Sequence, residues 1–244
     1  MSTLNSILWQ EYVLFRRKFF TITSSALVAP ILYCIAFGWG LNDRVKVNGG
    51  SYMSFIIPGI IALTTMTSSY NNTANSINIS RIFYKTFESY MIAPITMSSY
   101  AFAKIVAGAL IGMYSGFLIV LVSLIFKAKL KITLYFVSIV FINCLVFSAL
   151  GFTIGVIIKS HTDMSKFSNF VITPMSFLCG TFFSLDKLPY MLSKIVKILP
   201  LSQTSIALRS KGETFEEMFI HILILMIYFI LFYVIGIKKC TKAE

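Results

Sequence analysis

Six stretches of roughly 20 residues run along this sequence almost free of charged side chains, and no other feature restricts the fold as much. A bilayer core is about 30 Å thick and a helix rises about 1.5 Å per residue, so each stretch is long enough to cross once. The windows lie at about 19–42, 52–78, 105–126, 132–158, 167–185 and 217–237, with the charges clustered between them. Hydrophobic side chains make up 57% of the 244 residues and charged ones 12%, whereas soluble domains carry about 25% charge. The expectation is an all-α membrane protein of six transmembrane helices, one domain over residues 1–244. The connections, at most about 25 to 32 residues long, fall short of a self-standing core.

The net charge of +12 belongs to this picture. Its Lys and Arg residues sit at the ends of the windows, where they reach anionic headgroups, so membrane lipids and not nucleic acid are the expected partners. Arg16, Arg17 and Lys18 precede an apolar run too long for the core of a signal peptide, which reads as a retained first span. Basic residues divide eleven against ten between alternate sides, so charge bias does not orient the bundle. The four cysteines are scattered with no CxxC pair, and no metal site is indicated.

Ahead of the first window, Leu4, Ile7, Leu8, Tyr12 and Phe15 recur at helical spacing while Gln10, Glu11 and Arg17 fall off that stripe. The pattern fits a helix lying in the membrane interface, or a plain extension of the first span. The second window is half polar. After Pro58 and Gly59, Thr64, Thr67, Ser68, Asn71, Asn75 and Asn78 are spaced by three or four and share one face. Such a face must point at protein or at a water-filled path, so it serves either as interhelical hydrogen bonding or as the lining of a translocation path. Gly108, Gly112 and Gly116 in the third window, and Ser148, Gly151 and Gly155 in the fourth, allow close helix approach, within the subunit or at a dimer seam.

Pro174 and Gly180 interrupt the fifth window. Beyond it, Pro189 opens a segment in which Met191, Leu192, Ile195, Ile198 and Leu199 oppose Lys194 and Lys197, and Pro200 ends it. This pattern predicts a re-entrant or interfacial helical hairpin between the fifth and sixth spans. No P-loop, HExxH or nucleophile elbow occurs, so no catalytic residues and no cofactor of the chain's own are expected. No Asp or Glu falls mid-span, which argues against proton coupling. His161 and His221 each stand alone and read as solvated or interfacial.

Several pieces in order resemble the ABC-2 type permeases, the membrane subunits of ATP-binding-cassette exporters of nodulation factors, polysaccharides and drugs. They are Phe55 to Gly59, Phe87 to Ile95, Phe177 to Phe183 with Leu188 and Pro189, and Leu199 to Leu201 leading to Arg209. The resemblance implies a cytoplasmic coupling helix that docks on separate ATPase subunits, with Phe87, Glu88, Tyr90, Met91 and Pro94 near the contact and the aromatic side chains exposed to fill a cleft. It also implies an outer gate with Phe182, Leu188 and Pro189, a second permease copy as partner, ATP and Mg on the ATPase alone, and both termini on the cytoplasmic side of the cell membrane. Where many members carry glycine before the Thr of the coupling segment, this chain has Lys85 before Thr86. A carrier or channel independent of ATP, using the polar face of the second span, is the alternative.

Overall fold

The computed structural model describes residues 3–39, 46–47, 50–93, 95–126, 130–185, 188–210 and 215–241. Among these the chain is helical apart from its connections and a two-residue antiparallel ladder, in which Lys46 and Val47 pair with Ser51 and Gly50. The helices are α1 (Thr3–Arg17), α2 (Phe19–Tyr33, continued by a π turn over Cys34–Trp39), α3 (Tyr52–Ile82), α4 (Thr86–Ile92), α5 (Met97–Ile125), α6 (Leu134–Ile157), α7 (His161–Phe167), α8 (Thr173–Leu178), α9 (Tyr190–Ile198), α10 (Pro200–Arg209) and α11 (Phe215–Thr241).

Five helical segments are long and apolar enough to cross a membrane: Phe19–Phe37, Tyr52–Ile82, Met97–Ile125, Leu134–Ile157 and Met218–Thr241. The window expected at 167–185 is not one of them. It continues α7 through a π turn at Ser168–Ile172 into α8, but helix stops at Leu178. Gly180 then takes φ +76°, a left-handed conformation open to glycine without steric cost, and the chain turns there. His161 shares a cavity with Tyr84 just past the end of α3, while Thr181 lies against Gly59 near its start. At 1.5 Å per residue, the length of α3 between them is about 35 Å.

The third span starts at Met97, well before the expected 105, because a helix ladder does not stop at a charge when that charge finds a partner. Lys104 is inside α5 and is paired, as described below. Thr96 begins the helix by accepting a hydrogen bond from the Ser99 amide at 3.3 Å.

Helices α3 and α6 are the most buried and form the centre; α5 and α11 flank them, α10 wedges against both, and α2 lies at the edge on α5. The α3–α5 contact is set by the glycine stripe. A Cβ on Gly112 would collide with the Ser69 hydroxyl, one on Gly108 with those of Thr73 and Ser148, and one on Gly116 would lie 2.6 Å from Thr65. Gly151 of α6 touches the Tyr70 carbonyl in the same way, so these glycines serve packing inside the subunit. The outward faces of α2 and α11 present Phe20, Val28, Leu32, Phe219, Ile227 and Ile230, an apolar surface that only lipid or another membrane helix solvates without cost.

One end of the bundle gathers the first and last helices. Ile7 of α1, Phe87 of α4, Tyr100 of α5 and Cys240 of α11 belong to a single buried cluster. At that end α1 turns Ile7 inward while Trp9 and Tyr12 stay exposed, so the apolar stripe read from the sequence is only partly the face that packs.

Candidate functional site

A cavity of about 690 Å³ opens at this end between α1, α2, α3 and α5, with Thr86 and Tyr90 of α4 and His161 on its border. It splits the polar face of α3. Ser68, Asn71 and Asn75 line it, joined by Asn72, Thr73 and Ser76. Thr64, Thr67 and Asn78 do not. Thr64 and Asn78 are buried, and the Thr67 hydroxyl donates to the carbonyls of Leu63 at 3.0 Å and Thr64 at 3.2 Å in its own helix.

The cavity wall holds an ion pair that sequence reasoning had not singled out. Lys104 Nζ donates to the Glu11 carboxylate and, at 3.1 Å, to Ser76 Oγ, which joins α5 to α1 and α3. Next to Glu11, Gln10 Oε1 accepts from the Tyr90 hydroxyl and so ties α1 to α4. The traces left in the sequence are a lone Lys inside an apolar helical pattern and a lone Glu beside an amphipathic stripe.

The segment from Phe87 onward does form a short helix, α4, which begins at Thr86. Lys85 ahead of it takes φ 51°, in the left-handed region where glycine is favoured. Contrary to the expected exposure, Phe87 is 4% exposed. It packs edge-on against Tyr100 at 5.9 Å between centroids, with the Arg81 guanidinium 5.5 Å from its ring. Arg81 also donates to the carbonyls of Gly155, at 3.1 Å, and Val156, and so caps the last turn of α6, where the helix dipole favours a cation. Tyr90 is half-buried on Tyr100, 4.9 Å away. Among the described apolar side chains that project here, Phe83, Tyr84 and Ile92 do so most, the last 87% exposed. Glu88 and Met91 fall within α4, but their side chains, like the whole of Pro94, lie outside the described residues.

At the opposite end, Phe182 is buried among rings, 5.2 Å from Tyr33, 4.9 Å from Phe37 and 5.7 Å from Phe177. Leu188 packs against the core, while Pro189 is exposed and precedes α9. Met191, Ile195 and Ile198 of α9 are exposed with Lys194 and Lys197, and Val196 alone in that helix is buried. Arg209, at the end of α10, donates to the carbonyls of Phe55 (3.1 Å), Gly180 (2.5 Å) and Thr181 (2.9 Å) and lies 4.0 Å over the Phe55 ring. Burial draws its pKa down to about 10, which leaves it charged at neutral pH. Deeper in the bundle, the fully buried Asn143 donates to Thr65 Oγ1 (2.9 Å) and the Ala62 carbonyl (3.3 Å) and accepts from Thr204 Oγ1 (2.9 Å), which links α6, α3 and α10.

Comparison with known proteins agrees with this architecture. The pattern that defines the ABC-2 type transporter family matches residues 3–211. The inner membrane transport permease YadH of Escherichia coli (strain K12) is 32% identical over 178 residues, 70% of this chain and 69% of that protein. Nodulation protein J of Rhizobium leguminosarum bv. viciae is 25% identical over 225 residues, 91% of this chain and 87% of that protein. Nodulation protein J of Rhizobium meliloti (strain 1021) is 24% identical over 205 residues, 80% and 78% of the two chains. With its apolar helices and this match over most of its length, the chain is a multi-pass membrane protein and belongs to the ABC-2 type transporter family.

Proposed function

We propose that this chain is the permease subunit of an ATP-binding-cassette exporter in the cell's inner membrane, driven through α4 by separate ATPase subunits that carry the ATP and Mg, and paired with a second permease copy. The observation that carries this reading is the construction of α4. It leaves Phe83, Tyr84 and Ile92 free at the end of the bundle, while Phe87, through Tyr100 and Arg81, and Tyr90, through Gln10, bolt it to the helices around the cavity. A partner that grips the exposed side chains therefore pulls on the cavity wall as one body. Phe87 and Tyr90 act as anchors of this lever, and the exposed trio makes the contact.

The opposed ends of the segment from His161 to Thr181 support a sixth crossing, and the shared cluster of Ile7 and Cys240 supports termini on one side, the cytoplasmic one in this reading. Helix α1, with Trp9 and Tyr12 exposed, then lies in the inner interface, and α9 and α10 form the re-entrant pair on the outer side. Ser68, Asn71 and Asn75 contribute to the inner part of the translocation path.

The test is co-expression with the cassette ATPase encoded nearest to it. The expected result is a co-purifying complex whose ATPase rate responds to the permease, with the response lost in the triple variant Phe83→Ala, Tyr84→Ala, Ile92→Ala. Transport by the purified chain alone in liposomes without ATP would overturn the proposal in favour of a carrier or channel.

A further inference from the structure

Three consecutive carbonyls follow the end of α8 in an irregular turn, and two side chains from elsewhere hold them all. Arg209 takes those of Gly180 and Thr181, and the Tyr52 hydroxyl donates to that of Phe182 at 2.7 Å. Backbone that leaves helical geometry inside an apolar bundle needs such partners, because neither lipid nor the core supplies them. The planar guanidinium reaches the Phe55 carbonyl as well, a fork that a lysine ammonium cannot reproduce. Gly59 makes room for it: a Cβ there would lie 2.5 Å from Arg209 Nη2 and 2.5 Å from the Thr181 oxygen.

The held turn carries the Phe182 ring into the cluster with Tyr33 and Phe37 at the end of the first span and Phe177 at the end of α8. We propose that Arg209 is the positioning residue of the outer gate: its grip on the turn after α8 holds Phe182 in this aromatic plug, and the plug parts when α10 draws Arg209 away from those carbonyls. The proposal rests on the assignment of this end of the bundle to the outer side.

Cys179, at the start of the turn and fully buried, is a built-in reporter. With no exposed surface in the closed turn, its thiol is shielded from a reagent in the water. The experiment uses the full chain in liposomes in two single-cysteine forms. One keeps Cys179 (Cys34→Ala, Cys144→Ala, Cys240→Ala), and the other keeps Cys144, buried in α6, as a control (Cys34→Ala, Cys179→Ala, Cys240→Ala). A membrane-impermeant maleimide is applied from either side. The expected result is that Arg209→Gln and Gly59→Ala each raise Cys179 labelling about tenfold or more, Arg209→Lys raises it less, and Cys144 labelling does not change.

Gly59→Ala leaves the charge of Arg209 in place, so the two variants disturb the grip by separate routes. Cys179 remaining closed in both overturns the proposal, as does Cys144 opening in parallel, which marks general loosening. Labelling of Cys179 only from the side of α1 keeps the grip and overturns the outer-side assignment.

Discussion

Lys104 and Glu11 lie 93 residues apart in sequence, yet their side chains form an ion pair that is almost closed off from solvent, at 5% and 11% exposure. The pair fixes α1, which has no covalent reason to stay beside α5, against the wall of the cavity. Losing one partner strands the other charge in a poorly solvated position, which costs about 3 kcal/mol in comparable buried pairs. Glu11→Gln and Lys104→Met are therefore expected to release α1 individually, with faster amide exchange over residues 3–17, and the double variant is expected to recover part of the protection. Equal exchange in all four proteins would remove the latch from the account.

The glycine stripe sets how closely α3 and α5 approach. Gly112→Ala forces a methyl group against the Ser69 hydroxyl and Gly108→Ala forces one against Thr73, so each should lower stability by about 1 to 3 kcal/mol, as overpacking does. Leu110, exposed on the far face of the same helix, is the control. Thermal unfolding in lipid nanodiscs should separate Leu110→Ala, close to the parent, from both glycine variants.

Asn143 ties three helices by hydrogen bonds at the centre. Asn143→Leu keeps the volume and loses the bonds, for a cost of about 1 to 2 kcal/mol, because Thr65 and Thr204 retain carbonyl partners in their own helices. Asn143→Asp should be worse, since it replaces the amide donor that faces the Ala62 carbonyl with an acceptor. The order parent, Leu, Asp in the temperature of half-unfolding checks this; Asp equal to Asn would contradict the geometry.

The division of the polar face of α3 predicts two classes of variant. Asn71→Ala and Asn75→Ala act at exposed cavity positions and should reduce transport while stability stays within about 0.5 kcal/mol of the parent. Asn78→Leu fills a buried position whose amide has no hydrogen-bond partner among the described residues, so stability should hold or rise and transport should be retained. Transport assays paired with unfolding curves separate the two classes.

The five long spans were legible from the sequence because hydropathy and charge spacing are local: a window without charge reads as a span whatever surrounds it. The position of α4 was legible too, as were the turn at Gly180 and the amphipathic α9. The contacts were not. Thr64 and Asn71 share a helix face by periodicity, but only the neighbours decide that one is sealed against protein and the other opens on a cavity. Phe87 and Ile92 are both apolar residues of one short helix, and the docking of α4 on Tyr100 alone decides which faces inward. A bridge such as Glu11 to Lys104, or Arg209 to the Gly180 carbonyl, depends on the rotation and depth of helices distant along the chain. Hydropathy carries no information on either quantity, so only the packed bundle assigns those partners.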